Sequence, residues 1–216
     1  MKSFILTTAF IVAASATVSA KTNTTKVLAN GYPYTQVPFT SVNLAHNSFW
    51  GARLQAAREV TVPLAFSKCE SEHRYKNFDM AAYTLKHPGH PGLKTPEWDV
   101  AKIMGLSFDD TDVYKTIEGA SYILQTYPDK KLKAYIDSVL NIVAAAQEPD
   151  GYLYTARTIN PEHPHGWSGK KRWEKEEDLS HELYNLGHMV DAACAHYQAT
   201  GSHKFLDIAR RYADCV

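Results

Sequence analysis

Apolar residues recur at helical spacing in paired stretches of this chain. Residues 112–127 and 130–147 each carry an apolar stripe with a period near 3.6 residues, and Pro128 lies between them. Asp112 and Asp129 precede the two stripes and are predicted to be the N-caps of two helices. Because the connection is only a few residues long, these helices are predicted to be antiparallel neighbours.

Residues 177–216 repeat the same design. They predict a first helix, a stop at Gly201, and a second helix with Ser202 as its N-cap. The side of the first helix that carries Leu183, Leu186, Val190, Ala193 and Tyr197 is apolar enough to be buried.

The remaining stretches are less regular. Residues 51–66 predict a helix that Pro63 kinks or ends. Residues 70–97 are loop-like and contain two Pro-Gly turns, and such long loops are often functional. Residues 152–155 predict a brief extended piece, and residues 160–171 predict an irregular loop rich in His and Trp.

Helical hairpins separated by long aromatic loops predict an all-α fold of stacked helix pairs. A helical toroid fits this plan, with the loops gathered at one end around a cleft. Four or five helices do not close such a ring, and the chain stops at Val216 inside a periodic pattern without a capping residue. The sequence therefore predicts an incomplete toroid over residues 41–216, truncated at its C-terminal side.

The N-terminus has the features of an export signal. Lys2 supplies a positive charge, residues 4–18 are apolar, and small residues at 18–20 precede Lys21 as a cleavage site. Residues 1–20 are therefore predicted to be a signal peptide, followed by a flexible lead-in over residues 21–40. The mature protein is predicted to be periplasmic or secreted.

Composition narrows the classes of partner. The 23 Lys and Arg balance the 23 Asp and Glu, which indicates neither a nucleic-acid surface nor an electrostatic contact with membranes. The chain is rich in rings, with 13 Tyr, 4 Trp and 10 His. Such rings stack on sugar faces and donate hydrogen bonds from their edges, although Tyr also fills interfaces between helices.

One helical face carries polar groups where a core would be expected. His181 and His188 are seven residues apart, which places them within about 20° of each other on a helix, and Tyr184 and Asp191 share that face. The stripe is either a wall that faces a ligand or a solvated surface. A zinc protease motif is excluded, because Asn185 occupies the second ligand position and His188 is about 10 Å further along the axis.

Other catalytic groups are harder to place. The three cysteines do not have metal-ligand spacing, so no metal site is predicted within this chain, and their odd number leaves at least one thiol unpaired within it. Paired carboxylates are the usual machinery of glycoside hydrolysis. The available carboxylates are Asp109, Asp110, Asp112, Asp150 and Glu182. Most of them have structural explanations, as a cap for Asp112, a turn residue for Asp150 and a favourable charge at a helix start for Glu182.

Four ordered motifs together resemble glycoside hydrolase family 127 (GH127), the β-L-arabinofuranosidases, and the related family 146. They are residues 109–124, residues 145–155, the pair Arg172 and Trp173, and residues 181–214. The resemblance covers residues 39–216 and implies the N-terminal half of an (α/α)6 barrel. Members are retaining exo-glycosidases that remove terminal β-L-arabinofuranose, so a plant-derived oligosaccharide or arabinoside is the implied substrate.

The resemblance also implies an unusual chemistry. The family uses a Cys thiolate as nucleophile, held near Zn by further Cys and a Glu, with another Glu as acid/base. These groups are expected beyond Val216, so zinc is expected for the full-length protein and this chain alone is predicted to be inactive. Within the chain, the implied substrate-binding residues are His188 and, more weakly, His181, Glu182, Tyr152 and Trp173.

Two alternatives stay open at this point. One is another (α/α)6 sugar enzyme, such as an unsaturated uronyl hydrolase or a lyase, which would need its catalytic residues within these 216 positions. The other is a non-catalytic sugar-binding scaffold made of helical hairpins.

Overall fold

A computed structural model describes residues 36–89 and 102–216 of the protein. The chain divides into two units, Met1–Val37 and Pro38–Val216, and almost all described residues belong to the second. The predicted signal peptide, most of the lead-in and the second Pro-Gly turn lie outside the described residues. Within those residues the regular structure is entirely helical, which confirms the all-α prediction, and none of the helices is long and apolar enough to cross a membrane.

The helices are joined in part by short turns and in part by longer connections. In chain order they are α1 Phe49–Ala56, a π-helical segment Ala57–Thr61, α2 Val62–Ser71, α3 Arg74–Lys86, α4 Asp110–Thr126, α5 Lys130–Ala145, the single turn α6 Thr155–Thr158, α7 Glu182–Thr200 and α8 Lys204–Ala213.

Pro63 does not end the helix that is predicted over residues 51–66, and the chain stays helical to Ser71. A proline has no N–H, and its ring crowds the carbonyl four residues earlier. Here the turn before Pro63 widens into the π-helical segment, where the N–H of Val62 bonds to the carbonyl of Ala57, five residues back. The wider turn lets the chain pass the proline while staying helical.

The predicted loop over residues 70–97 is wrong for its first half, which forms α3. Phe78 and Ala81 of this helix are fully buried. Asn77 is buried beside them, and its amide bonds to both backbone groups of Met104, at 2.8 and 2.9 Å. A buried face that mixes apolar and polar residues hides the helical period in the sequence, because tertiary contacts stabilise the helix.

Helix α4 packs along α7 far more extensively than along α5, its neighbour in the chain. The buried side of α7 contains Met189, Ala192 and Ala193, whose small or flexible side chains permit close approach. The apolar side predicted from the sequence is only partly right. Leu183 is 46% exposed, and Ala193 is buried.

The helix ends test the predicted caps. Asp129 is confirmed, because its side chain accepts two backbone N–H bonds at 2.8 and 3.1 Å. Asp112 is wrong as a cap, since α4 begins before it and its carboxylate instead bonds to Nε of Arg74 at 2.9 Å. The stop at Gly201 is confirmed by its left-handed φ of 71°, whereas Ser202 is wrong because the N-cap of α8 is the next residue.

Candidate functional site

A row of aromatic rings runs from the loop after α6 onto α7. Ring centroids are 6.5 Å apart for Trp167 and Phe108, 4.8 Å for Phe108 and His181, 5.6 Å for His181 and Tyr184, and 4.5 Å for Tyr184 and His188. Trp167 is 36% exposed and Tyr184 is 41% exposed, and the other three side chains are half-buried. We call these five residues the aromatic row. It contains the predicted His and Tyr stripe and extends it with two rings from elsewhere in the chain.

His181 stands at the start of α7 in an unusual backbone conformation. Its φ is 60°, in the left-handed region that residues other than glycine seldom adopt. Its Nδ1 lies 2.6 Å from the carbonyl oxygen of Leu179 and therefore donates to it. In the neutral ring this leaves Nε2 as a hydrogen-bond acceptor.

Helix α4 contributes polar residues next to the aromatic row that the sequence did not predict as part of the site. Lys115 Nζ lies 2.5 Å from the hydroxyl of Tyr184, and Tyr122 donates to Glu118 Oε1 at 2.7 Å. Lys115, Glu118 and Tyr122 recur at i, i+3 and i+7, the spacing of one helical face. The sequence spacing indicates this polar face of α4, but it does not indicate that the face lies against α7.

The environment of His188 favours its neutral form. Partial burial lowers the pKa of His188, and the charge of Lys115 lowers it further, whereas Asp191 and Glu118 act in the opposite direction. A neutral imidazole offers one donor and one acceptor. His188 is therefore suited to hydrogen-bond an uncharged hydroxyl group.

Glu182, Tyr152 and Trp173 form a hydrogen-bonded cluster next to His181. The hydroxyl of Tyr152 donates to Glu182 Oε1 at 2.5 Å, and the backbone N–H of Trp173 donates to Oε2 at 2.9 Å. The Trp173 ring packs on Tyr152 and stacks on Tyr212, with centroids 5.5 and 6.2 Å apart. Glu182 and Tyr152 are fully buried, and Trp173 is half-buried. Sugar contact by these three residues stays a prediction, whereas their bonds to one another are a structural feature.

Arg172 fastens the loop before α7 to the turn after α5. It bonds to Glu148 at 2.5 Å and to Asp150 at 2.6 Å, and its guanidinium lies 4.0 Å from the centre of the Tyr152 ring. The bond to Arg172 lowers the pKa of Asp150. The loop that carries Trp167 is thus held near its C-terminal end by charge and by a cation–π contact.

Glu176 caps α7 from upstream. Its carboxylate accepts from the backbone N–H groups of Glu182 and Leu183 at 2.7 and 3.2 Å, and from the hydroxyl of Ser180. A carboxylate at this end also complements the helix dipole. The segment that precedes α7 therefore fixes the start of the helix that bears His181.

Asp110, another candidate carboxylate, has a structural role. It is buried and accepts from the backbone N–H and the hydroxyl of Thr155, at 2.8 and 2.6 Å. Burial raises the pKa of Asp110 to about 7, against the effect of these two bonds. The pair ties the start of α4 to α6.

The described residues do not fit the zinc ion that the family resemblance implies. Across residues 36–89 and 102–216, no three His, Cys, Asp or Glu side chains come together as a metal site. Cys69 is buried, Cys194 and Cys215 are half-buried, and all three are free thiols. No catalytic step is assigned to zinc on these residues.

Comparison with known proteins is consistent across sequence and structure. Residues 41–216 match the family described as β-L-arabinofuranosidase, GH127 catalytic domain. A non-reducing end β-L-arabinofuranosidase from Bifidobacterium longum subsp. longum is 40% identical over 112 residues, which are 52% of this chain and 16% of that protein.

Two solved structures are similar over most of the chain. A GH127 β-arabinofuranosidase is 66% identical with a TM-score of 0.76, covering 86% of this chain and 27% of that one. A GH127 β-L-arabinofuranosidase from Geobacillus stearothermophilus T6 is 34% identical with a TM-score of 0.66, covering 81% and 25%. The chain thus spans about a quarter of these solved relatives, and the match agrees with the predicted helical-toroid class.

Proposed function

Because the chain belongs to the GH127 β-L-arabinofuranosidase family, we propose that the protein is a glycoside hydrolase that removes terminal β-L-arabinofuranose from plant-derived oligosaccharides or arabinosides. Among the structural observations, the aromatic row is the one that supports this proposal. Its rings are partly exposed, adjacent and interleaved with polar atoms, which is the surface that a sugar requires.

The two ends of the aromatic row contact different parts of the sugar in this proposal. Trp167 and Phe108 offer ring surfaces against which the C–H groups of a sugar pack. His181, Tyr184 and His188 offer polar atoms that orient the sugar hydroxyls. Sugar contact by Glu182, Tyr152 and Trp173 is part of the same proposal, and the bonds of Glu182 to the other two residues also hold the start of α7.

The nucleophile, the acid/base and the zinc ligands are proposed to lie in sequence beyond Val216. Two observations support this placement. The solved relatives are much longer than the chain, whose matched residues cover 27% and 25% of them. The described residues also bring no cluster of metal-binding side chains together. We therefore expect residues 1–216 alone not to hydrolyse arabinofuranosides.

Activity of the full-length gene product tests the proposal. The gene is read in frame beyond its first 216 codons, and the product is assayed with a chromogenic β-L-arabinofuranoside, with the α-anomer as control. We expect hydrolysis of the β-anomer, loss of activity after zinc is chelated, and a fall in kcat/KM of about 100-fold for His188→Gln.

The matched control is His203→Gln, an exposed histidine outside the row that should retain full activity. Unchanged kcat/KM in His188→Gln would remove the row from the proposed site. Hydrolysis of unsaturated uronides, or eliminative cleavage of saturated uronides to give an unsaturated end, would instead support another sugar enzyme. Sugar binding without any hydrolysis would support the scaffold alternative.

We also propose that the protein is exported to the periplasm or secreted. The support is the sequence of residues 1–20, with its charged start, apolar run and small-residue cleavage site. N-terminal sequencing of the protein recovered from outside the cytoplasm should begin near Lys21. Recovery of a chain that still begins at Met1, in the cytoplasmic fraction, contradicts export.

A further inference from the structure

We infer that Lys115 is a positioning residue of the proposed sugar site, because its ammonium group fixes the Tyr184 hydroxyl in the middle of the polar end of the aromatic row. The inference rests on the proposed function. Lys115 belongs to α4, not to the helix that bears the row, and its Nζ lies 2.5 Å from Tyr184 Oη.

The hydrogen bond from Lys115 determines the direction in which the Tyr184 hydroxyl can donate. An ammonium group has donors and no acceptor, so the oxygen of Tyr184 accepts in this pair. The phenolic proton of Tyr184 is then left for another acceptor. Because Tyr184 is 41% exposed, a ligand can reach it. Lys115 therefore makes Tyr184 a donor towards the ligand.

Two histidine rings hold the phenol ring from its sides. The Tyr184 ring meets His181 at 84° and His188 at 85°, both edge to face. Such packing restricts rotation of the ring. With Lys115 bound to its oxygen, the phenol has a fixed position as well as a fixed donor direction.

Lys115 also acts on His188 through its charge. The groups that face His188 are Lys115 and Glu118 from α4, and Tyr184 and Asp191 from its own helix. Lys115 lowers the pKa of His188, whereas the two carboxylates raise it. Removing the lysine charge should therefore raise the pKa of His188 and favour the imidazolium, which has no acceptor.

Together these effects select the class of ligand. A donor at Tyr184 and a donor–acceptor pair at the neutral His188 ring match neighbouring hydroxyl groups, each of which both donates and accepts. Lys115 uses one of its three donors on Tyr184, and the carboxylate of Glu118 lies one turn away on the same face of α4. The arrangement fits an uncharged polyol such as a neutral sugar.

The test compares Lys115→Met and Lys115→Arg in the full-length protein, with Lys76→Met as the control. Lys76 is an exposed helical lysine that pairs with Asp79 at 3.4 Å, away from the row. The readouts are the titration of His188 by NMR, with the signal assigned through its loss in His188→Gln, and KM and kcat for a β-L-arabinofuranoside from pH 5 to 8.

We expect Lys115→Met to raise the pKa of His188, to move the acid limb of the pH profile upward, and to increase KM by about tenfold. Lys115→Arg keeps the charge and should retain a lowered pKa for His188 with a smaller change in KM. Lys76→Met should match the parent in both readouts.

The inference is overturned if Lys115→Met leaves the His188 titration where it is in the parent, whatever happens to the activity, because structural damage alone would account for a lower rate. It is also overturned if the titration moves while KM stays unchanged. Failure of the parent protein to hydrolyse any arabinofuranoside would sink the proposed function instead, and sugar binding measured by NMR then replaces KM as the readout for Lys115.

Discussion

Glu182→Ala is expected to destabilise the protein by about 3–5 kcal/mol. The carboxylate is fully buried at the first position of α7 and accepts from the Tyr152 hydroxyl and the Trp173 backbone N–H. Alanine leaves both donors buried without an acceptor and opens a cavity beside them. The free energy of unfolding from denaturant titration measures the effect.

Glu182→Gln separates hydrogen bonding from volume. The glutamine oxygen can accept from the Trp173 N–H, and its amide can donate to the Tyr152 oxygen, so both partners stay bonded. We expect a loss of about 1 kcal/mol, well below that of alanine. Equal losses for the two variants would show that the bonds to Glu182 are not what stabilises the start of α7.

Gly151→Ala is the second large effect, with an expected loss of about 3 kcal/mol or more. Gly151 has a φ of 102°, where side chains are strained, and an added Cβ would lie 2.0 Å from the carbonyl oxygen of Arg211. That contact is with backbone, so α8 itself would have to move. The melting temperature and the free energy of unfolding are the measurements.

Gly119→Ala is the matched control. Gly119 lies inside α4, and a Cβ built there meets nothing within 4 Å. Alanine is the better helix former, so this change should stabilise the protein by about 0.5–1 kcal/mol. If both alanine variants behaved alike, the close approach of Gly151 to α8 would not be a constraint in solution.

Local signals in the sequence predicted the parts of the fold that local forces decide. The stripe of α5, the cap at Asp129 and the stop at Gly201 each depend on residues a few positions apart. Helix α3 was missed because its buried face includes Asn77, whose partner Met104 lies 27 positions further along the chain. A hydrogen bond between residues so far apart in the chain leaves no periodic pattern in the sequence.

The residues of the candidate site also divide into those that local spacing predicts and those that only the packing of the helices brings together. The spacing of His181, Tyr184 and His188 was enough to place them on one side of a helix. Phe108 and Lys115 could not be added, because they join the group only through the packing of α4 against α7. The buried state of Glu182 was also out of reach, since a glutamate in the first turn of a helix is ordinarily exposed.

The packing of α4 against α7 has a consequence for synthesis of the protein. Lys115 and Tyr184 are 69 positions apart, so α4 leaves the ribosome well before the helix that covers it. At about 5–20 residues per second, the apolar face of α4 has no α7 to pack against for roughly 3–14 s. We expect Ile117, Ala120 and Leu124, which are buried in the folded protein, to be accessible to chaperones during that interval, and slower translation of residues 127–181 to lengthen their exposure.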